Sequence, residues 1–280
     1  MKNLVVIPNV TKDVGLAVTD GVVKKLLDLG FNVYLHSDLK YVNDGVVTYD
    51  ELPSGIDLMV VIGGDGSVID ASVLAVTRDI PILGVNLGRM GYLTEVEIDS
   101  LSELNRLASS EYSITEKMLL SVELPEGKIC DRLAVNDVTV ARDSFLHIAD
   151  IKIEDSIDNA VKLRADGVIL STPQGSTAYS FSAGGPILAH DVEGILLTPL
   201  SSHSFFNRSV LFNSSDVIKV TNIGASPLNI NVDGRSVGSL LPNECCNVKR
   251  ASKNVKILTF KKNSMFSSLF KKMRILGDIN

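Results

Sequence analysis

The chain has 280 residues, enough for one large domain or two of medium size, each able to bury a core of its own. Hydrophobic residues make up 45% and charged residues 21%, the balance of a folded chain and not of a disordered or fibrous one. A formal net charge of −6 argues against a general nucleic-acid binder, which would present an excess of Lys and Arg to phosphates, and leaves room only for a local basic patch.

Leu4-Val5-Val6-Ile7 reads as a buried strand, too short for the core of an export signal, and no apolar run approaches the roughly 20 residues of a membrane helix. The expected address is therefore the cytoplasm, with no membrane partner. Asp13 is placed to cap a helix whose Leu16, Val23, Leu26 and Leu27 recur at helical spacing until Gly30 ends it. Asn32 to Leu35 is a second strand, and Leu58-Met59-Val60-Val61-Ile62 a third, apolar throughout as a parallel strand covered on both faces would be. A helix is expected from Ser67 to about Val76, and a fourth strand from Ile82 to Val85 behind Pro81. This alternation implies a parallel sheet flanked by helices, with ligands gathering at the carboxyl ends of its strands.

From about Glu111 the pattern changes to short runs of Val, Ile and Leu separated by turn signals: Pro125-Glu126-Gly127, Asn213-Ser214-Ser215 and Asp233-Gly234. This is a mainly β region, broken once by Thr172 to Pro186, a loop with a short helix. Asn254 to Phe260 is strand-like, and Phe266, Leu269, Phe270 and Met273 form a helical stripe beside Lys271, Lys272 and Arg274, expected to dock on the first domain. The expected organisation is an α/β domain over 1–100, completed by a helix over 261–280, and a mainly β domain over 101–260. Cys130, Cys245 and Cys246 show no C-x-x-C spacing and read as reduced thiols.

Two segments carry chemistry. Gly63-Gly64-Asp65-Gly66-Ser67 follows a buried strand and precedes a helix, where glycines admit a phosphate close to the backbone and helix N–H groups attract anions. Asp65 would repel phosphates there unless it accepts a proton from an attacking hydroxyl or helps organise a divalent metal; the other reading is that it shapes a tight turn. Ser171 to Pro186 combines small residues, several hydroxyls and Tyr179, a ring able to stack on a flat base.

These two segments, with Asn136-Asp137 between them and Arg164-Ala165-Asp166-Gly167 leading into the second, resemble the NAD kinases in the same order along nearly the whole chain. The GGDG element alone is shared with diacylglycerol, sphingosine and phosphofructo kinases. The run STPQGSTAYSFSAGGP closely matches the family's STPTGSTAYSLSAGGP, which those relatives lack. The resemblance implies phosphoryl transfer from ATP or a similar donor to the 2′-hydroxyl of the adenosine ribose of NAD, with Asp65 as general base and Gly66 beside it. It implies that Asn136 and Asp137 hold the dinucleotide, that Arg164 and Asp166 line its nicotinamide side, and that Thr177, Ala178, Tyr179, Ser180, Phe181 and Ser182 form its binding turn. Gly91-Tyr92-Leu93, after Asn86-Leu87-Gly88, matches the apolar wall of that pocket. His147, Ser201 and Arg235 fall where family members often contact ligand, sometimes from a neighbouring subunit. Further implications are a divalent cation, Mg²⁺, arriving with the nucleotide and no metal site of the protein's own, and a homodimer or homotetramer.

The chain departs from the family pattern at three places. Asp137 stands where Glu is usual, Asp70 where many members carry a base, and Gln174 where Thr is usual; only the last is expected to be silent. Two rival readings remain at this point. A lipid kinase of the diacylglycerol or sphingosine type would share the GGDG turn, and a non-catalytic NAD(P) sensor would bind without using Asp65.

Overall fold

The computed structural model describes residues 2–88, 91–143, 147–157, 159–189 and 191–260, with Glu126 described by its backbone alone. The chain divides into two compact units, one running to Glu116 and resuming at Val255, the other Lys117–Asn254. The helix expected over 261–280 lies outside the described residues. No helix among them is long and apolar enough to cross a membrane.

The first unit opens with strand β1 (Asn3–Pro8), helix α1 (Ala17–Asp28), β2 (Asn32–His36), β3 (Val46–Tyr49), β4 (Leu58–Gly63), α2 (Asp65–Arg78), β5 (Ile82–Asn86), the short β6 (Val96–Glu97), α3 (Asn105–Ala108) and β7 (Ser113–Lys117). Its sheet runs β3-β2-β1-β4-β5, then the strand Val255–Thr259, then β7, with β6 attached to β5. The pairings from β3 across to the strand Val255–Thr259 are parallel. Every residue of β4 is buried, which a strand covered by helices on both faces requires. Leu4, Val6, Val33, Leu35, Leu58, Val60 and Ile62 of the sheet share a core with Val22, Val23 and Leu26 of α1. The strand β3 was not foreseen: it is a half-exposed edge strand, with too little apolar patterning to announce itself.

Helix α1 shows how a single acid sets the start of an element. A 3-10 turn (Val14–Leu16) precedes it, and the Asp13 carboxylate, only 4% exposed, accepts from the amides of Val18 (3.1 Å) and Thr19 (2.8 Å) and from the Thr19 hydroxyl (2.6 Å). Those amides have no partner inside the helix. At the other end Gly30, with φ of 82°, donates its amide to Leu27 and closes the helix.

The second unit continues with β8 (Leu120–Glu123), β9 (Asp137–Arg142), β10 (Ala149–Glu154), β11 (Ala160–Ala165), β12 (Gly167–Ser171), α4 (Tyr179–Ser182), β13 (Gly194–Leu200), β14 (Val210–Asn213), β15 (Val217–Asn222), β16 (Leu228–Val232), β17 (Arg235–Leu240) and β18 (Cys245–Arg250). Five strands form one sheet, β11-β10-β15-β18-β8, and six the other, β14-β13-β12-β9-β16-β17. One apolar cluster draws on both, with Val122, Ile151, Ile153, Ile218 and Val220 from the first and Val138, Val140, Val168, Leu170, Ile195 and Ile230 from the second. The α/β first unit and mainly β second unit are the expected fold class.

Replacing Asp13 by Ala leaves two helix amides and a hydroxyl without their acceptor in a buried place. The Asp13→Ala variant is expected to lose about 1–3 kcal/mol of stability, read as a lower midpoint in urea unfolding. A midpoint equal to the parent's would show that water replaces the cap at no cost.

Candidate active site

In the first unit the chain leaves β1 for β2 and β3 on one side, then returns to β4 and β5 on the other, so the carboxyl ends of β1 and β4 flank the point where the connections diverge. The GGDG turn sits there. Gly63 ends β4, Gly64 is the N-cap of α2, and Asp65 is the first residue of that helix. The helix begins two residues before Ser67, the expected start, which places the acid inside its first turn. A side chain on Gly63 would overlap the Ser67 hydroxyl.

The Asp65 carboxylate is held from outside its own element. One oxygen accepts from the amide of Tyr92 at 2.8 Å and the other from the amide of Leu93 at 2.9 Å. A side chain on Gly91 would overlap that same carboxylate, so this loop approaches only because its first residue has none. The 91–93 segment thus supplies donors to the acid. Nearby at the end of β5, the buried Asn86 gives its amide to the Gly88 carbonyl at 2.6 Å, while its Oδ1 has no hydrogen-bond partner among the described residues. Asp70 lies further along α2 with its side chain exposed.

In the second unit the other glycine-rich segment packs against the start of β9. Ser171, the last residue of β12, pairs with Asp137. Thr172 then donates its amide to the Asn136 carbonyl at 2.9 Å and its hydroxyl to Val135 at 2.7 Å, and it accepts from Gly175 at 2.9 Å. A side chain on Gly175 would overlap the Asn136 carbonyl. Beyond it the side chains divide. Tyr179, Phe181 and Ser182 are exposed, Thr177 and Ala178 are half-buried, and Ser180 is fully buried with its hydroxyl 2.8 Å from that of Thr198. Gln174 is buried as well.

Asp233, foreseen only as part of a turn, organises this corner. It and Gly234 take φ of 48° and 77° in the two-residue hairpin between β16 and β17. Its carboxylate accepts from the amides of Val135 (2.8 Å), Asn136 (2.8 Å) and Asp137 (3.0 Å). Asn136, Asp137 and the Thr177–Ser182 turn are therefore brought together.

Arg164 and Asp166 are not at this corner. They precede β12, whose far end carries the turn, so about 17 Å of strand separates the two groups at roughly 3.4 Å per residue. Arg164 is exposed beside Asp150 at 3.8 Å, and Asp166 pairs with Arg142 at 3.0 Å. His147, Ser201 and Arg235 are exposed.

The environment of Asp137 is unusual for an acid. It is buried, faces the Asp233 charge, and among the described residues receives only the Thr139 hydroxyl at 3.4 Å, so burial first and Asp233 second push its carboxyl up to about 7. Burial also raises Asp233, while its three amide donors and the Arg132 charge pull the other way. Below about pH 4 the carboxyl of Asp137 is protonated whether the chain is folded or not. Between there and about 7 the folded chain keeps a proton that the unfolded chain releases, so stability falls as pH rises through this window and levels off above it. Urea unfolding of the parent and Asp137→Asn at intervals from pH 5 to pH 8 is expected to show the variant gaining on the parent as pH rises. Parallel pH profiles would refute the raised carboxyl.

Two family models match the chain, the ATP-NAD kinase N-terminal domain over residues 12–112 and the ATP-NAD kinase C-terminal domain over 135–260. The NAD kinase of Caldanaerobacter subterraneus is 34% identical over 281 residues, covering 98% of this chain and 99% of that one. That of Clostridium perfringens is 33% identical, with 98% and 99% covered. Among solved structures, yeast NADH kinase complexed with NADH superposes with a TM-score of 0.81 at 21% identity, over 100% of this chain and 89% of that one. An NAD kinase from Archaeoglobus fulgidus in complex with ATP gives 0.72 at 23%, over 98% and 99%. These matches run through both glycine-rich segments, whereas a lipid kinase would share the first alone. The chain belongs to the NAD kinase family.

Proposed function

We propose that this enzyme transfers a phosphoryl group from ATP, or a donor like it, to the 2′-hydroxyl of the adenosine ribose of NAD, giving NADP. The observation that carries the reading is the Asp65 carboxylate, fixed by two amides at the head of α2, beside a Gly66 whose side-chain position is open for 4 Å. Each of its oxygens keeps a lone pair beyond the one given to the amide.

A ribose hydroxyl is a weak nucleophile at neutral pH, so a carboxylate within hydrogen-bond reach takes its proton as the new bond to phosphorus forms. The ribose oxygen joins the γ-phosphorus, the bond from that phosphorus to the β–γ bridging oxygen breaks, and the nucleoside diphosphate leaves. Asp65 later returns the proton to solvent. Most of the acceleration comes from positioning and from neutralising phosphate charge. Among the described residues no three or more His, Cys, Asp or Glu side chains cluster as a metal cage. We accordingly assign the divalent cation, Mg²⁺, to the donor's phosphate oxygens, where it neutralises charge.

Asn136 and Asp137 are assigned to the sugar and base of the dinucleotide, and an Asp137 that keeps its proton can donate as well as accept. Thr177, Ala178, Tyr179 and Ser182 form the turn against which the dinucleotide lies, with the exposed rings of Tyr179 and Phe181 offering stacking surface. Ser180 supports that turn from behind through Thr198. Arg164 and Asp166, remote from Asn136 along β12, are assigned to the nicotinamide half. The protein is read as a cytoplasmic homodimer or homotetramer, with His147, Ser201 and Arg235 on surfaces available to a second copy.

The Asp65→Asn variant tests the base. Its turnover of NAD with ATP, followed by mass analysis of the product, is expected to fall by roughly 10²-fold or more. NAD binding, measured by calorimetry, stays close to the parent's. Turnover within a few-fold of the parent would remove Asp65 from the proton transfer and leave it the holder of the 91–93 segment.

A further inference from the structure

The glycines of the GGDG turn are not alike. Gly63 cannot carry a side chain in this fold, since one would overlap Ser67. Gly64 and Gly66 have no such reason. Gly64 has φ of −108° and ψ of −170°, open to any residue, and Gly66 lies in the first turn of α2 without a positive φ. A Cβ on Gly66 would meet nothing within 4 Å, and one on Gly64 would meet a single atom, the Lys12 Nζ, at an ordinary 3.7 Å. Glycine at Gly66, inside the helix, costs about 0.5–1 kcal/mol relative to alanine, whereas at the N-cap position of Gly64 glycine is itself a favoured residue. The bare backbone of Gly66 is therefore of use to something that approaches from outside the chain, and the atom standing over the neighbouring Gly64 is an ammonium.

Lys12 is held there by design of the β1–α1 loop. Asn9 donates its amide to Ile62 at 2.8 Å and its side-chain nitrogen to the Ser67 hydroxyl at 2.8 Å, tying this loop to β4 and to the first turn of α2. The Lys12 amide in turn donates to the Asn9 carbonyl at 3.0 Å and to its Oδ1 at 3.2 Å. The Lys12 side chain is exposed, and among the described residues it pairs with no acid. Among the described residues, a cation from the loop after β1 lies over Gly64, its Nζ 3.7 Å from where a Cβ would stand.

We propose that Lys12 binds the phosphates of the phosphoryl donor as they lie over Gly64 and Gly66. This rests on the phosphotransferase reading above and adds a residue to it. The ammonium offers a compact charge with three donors, suited to phosphate oxygens whatever base the donor carries. A charge-assisted contact of this kind is worth about 10-fold to 100-fold in affinity.

The test compares the parent with Lys12→Ala and Lys12→Arg. Initial rates are measured with MgATP varied at saturating NAD and with NAD varied at saturating MgATP, and binding of tripolyphosphate in Mg²⁺ buffer is followed by calorimetry. For Lys12→Ala the donor KM is expected to rise by about 10-fold or more, tripolyphosphate to bind correspondingly less, and the KM for NAD to stay within about 2-fold. Recovery of most of that loss in Lys12→Arg would support a charge contact; an arginine variant as impaired as the alanine one would count against it. Unchanged donor KM and tripolyphosphate affinity in Lys12→Ala would overturn the proposal, as would equal losses for donor and NAD, which would mark a loop that merely holds its shape. A parent enzyme that makes no NADP would instead overturn the reading beneath, and the tripolyphosphate titrations would still decide the role of Lys12.

Discussion

The two amides that reach Asp65 from residues 27 and 28 positions further along the chain tie the head of α2 to the loop after β5. A carboxylate in the first turn of a helix is already favoured by the helix dipole, and two N–H donors fix its direction as well as its charge. The demand propagates outward. Gly91 must be glycine for its loop to come close, Gly63 must be glycine for Ser67 to fold over it, and the order of β1, β4 and β5 in the sheet decides where all of this stands.

The second unit repeats the device with another acid. Asp233 gathers the amides of Val135, Asn136 and Asp137, and so fixes the start of β9, against which the Thr172–Gly175 backbone is laid. Burial raises both acids, but Asp233 has three amide donors and the Arg132 charge pulling it back, whereas Asp137, with one distant hydroxyl among the described residues, is pushed up to about 7. Two neighbouring carboxyls of the same type thus differ in the number of backbone donors that oppose the effect of burial.

Much of the sheet of the first unit was legible from residue order. β1, β4 and β5 are continuous apolar runs because helices cover them on both faces, and buried parallel strands leave that trace. β3 was missed because an edge strand of four residues carries too little of it. The start of α2 was placed late because Gly-Asp-Gly has low helix propensity, a local preference that the Asp65 hydrogen bonds override. The candidate residues were legible by likeness of motif, but their separation was not. A linear pattern holds no distance between Arg164 and Asn136, does not reveal that Ser180 turns inward while Tyr179 and Phe181 turn outward, and gives Asp233 only as the head of a hairpin. Each of those depends on strand register over tens of residues, which no local signal encodes.

The strand Val255–Thr259 lies between β5 and β7, although it is the last of the described strands. On a ribosome, which delivers the chain from its N-terminus, the sheet that positions Asp65 therefore stays interrupted until the whole of Lys117–Asn254 has emerged. The uninterrupted second unit has every one of its strands available before that point. Completion of the first sheet is a long-range closure and the slow kind of step, so the edge of β5 at Ile82, beyond the part covered by β6, stays open until the second unit has been made.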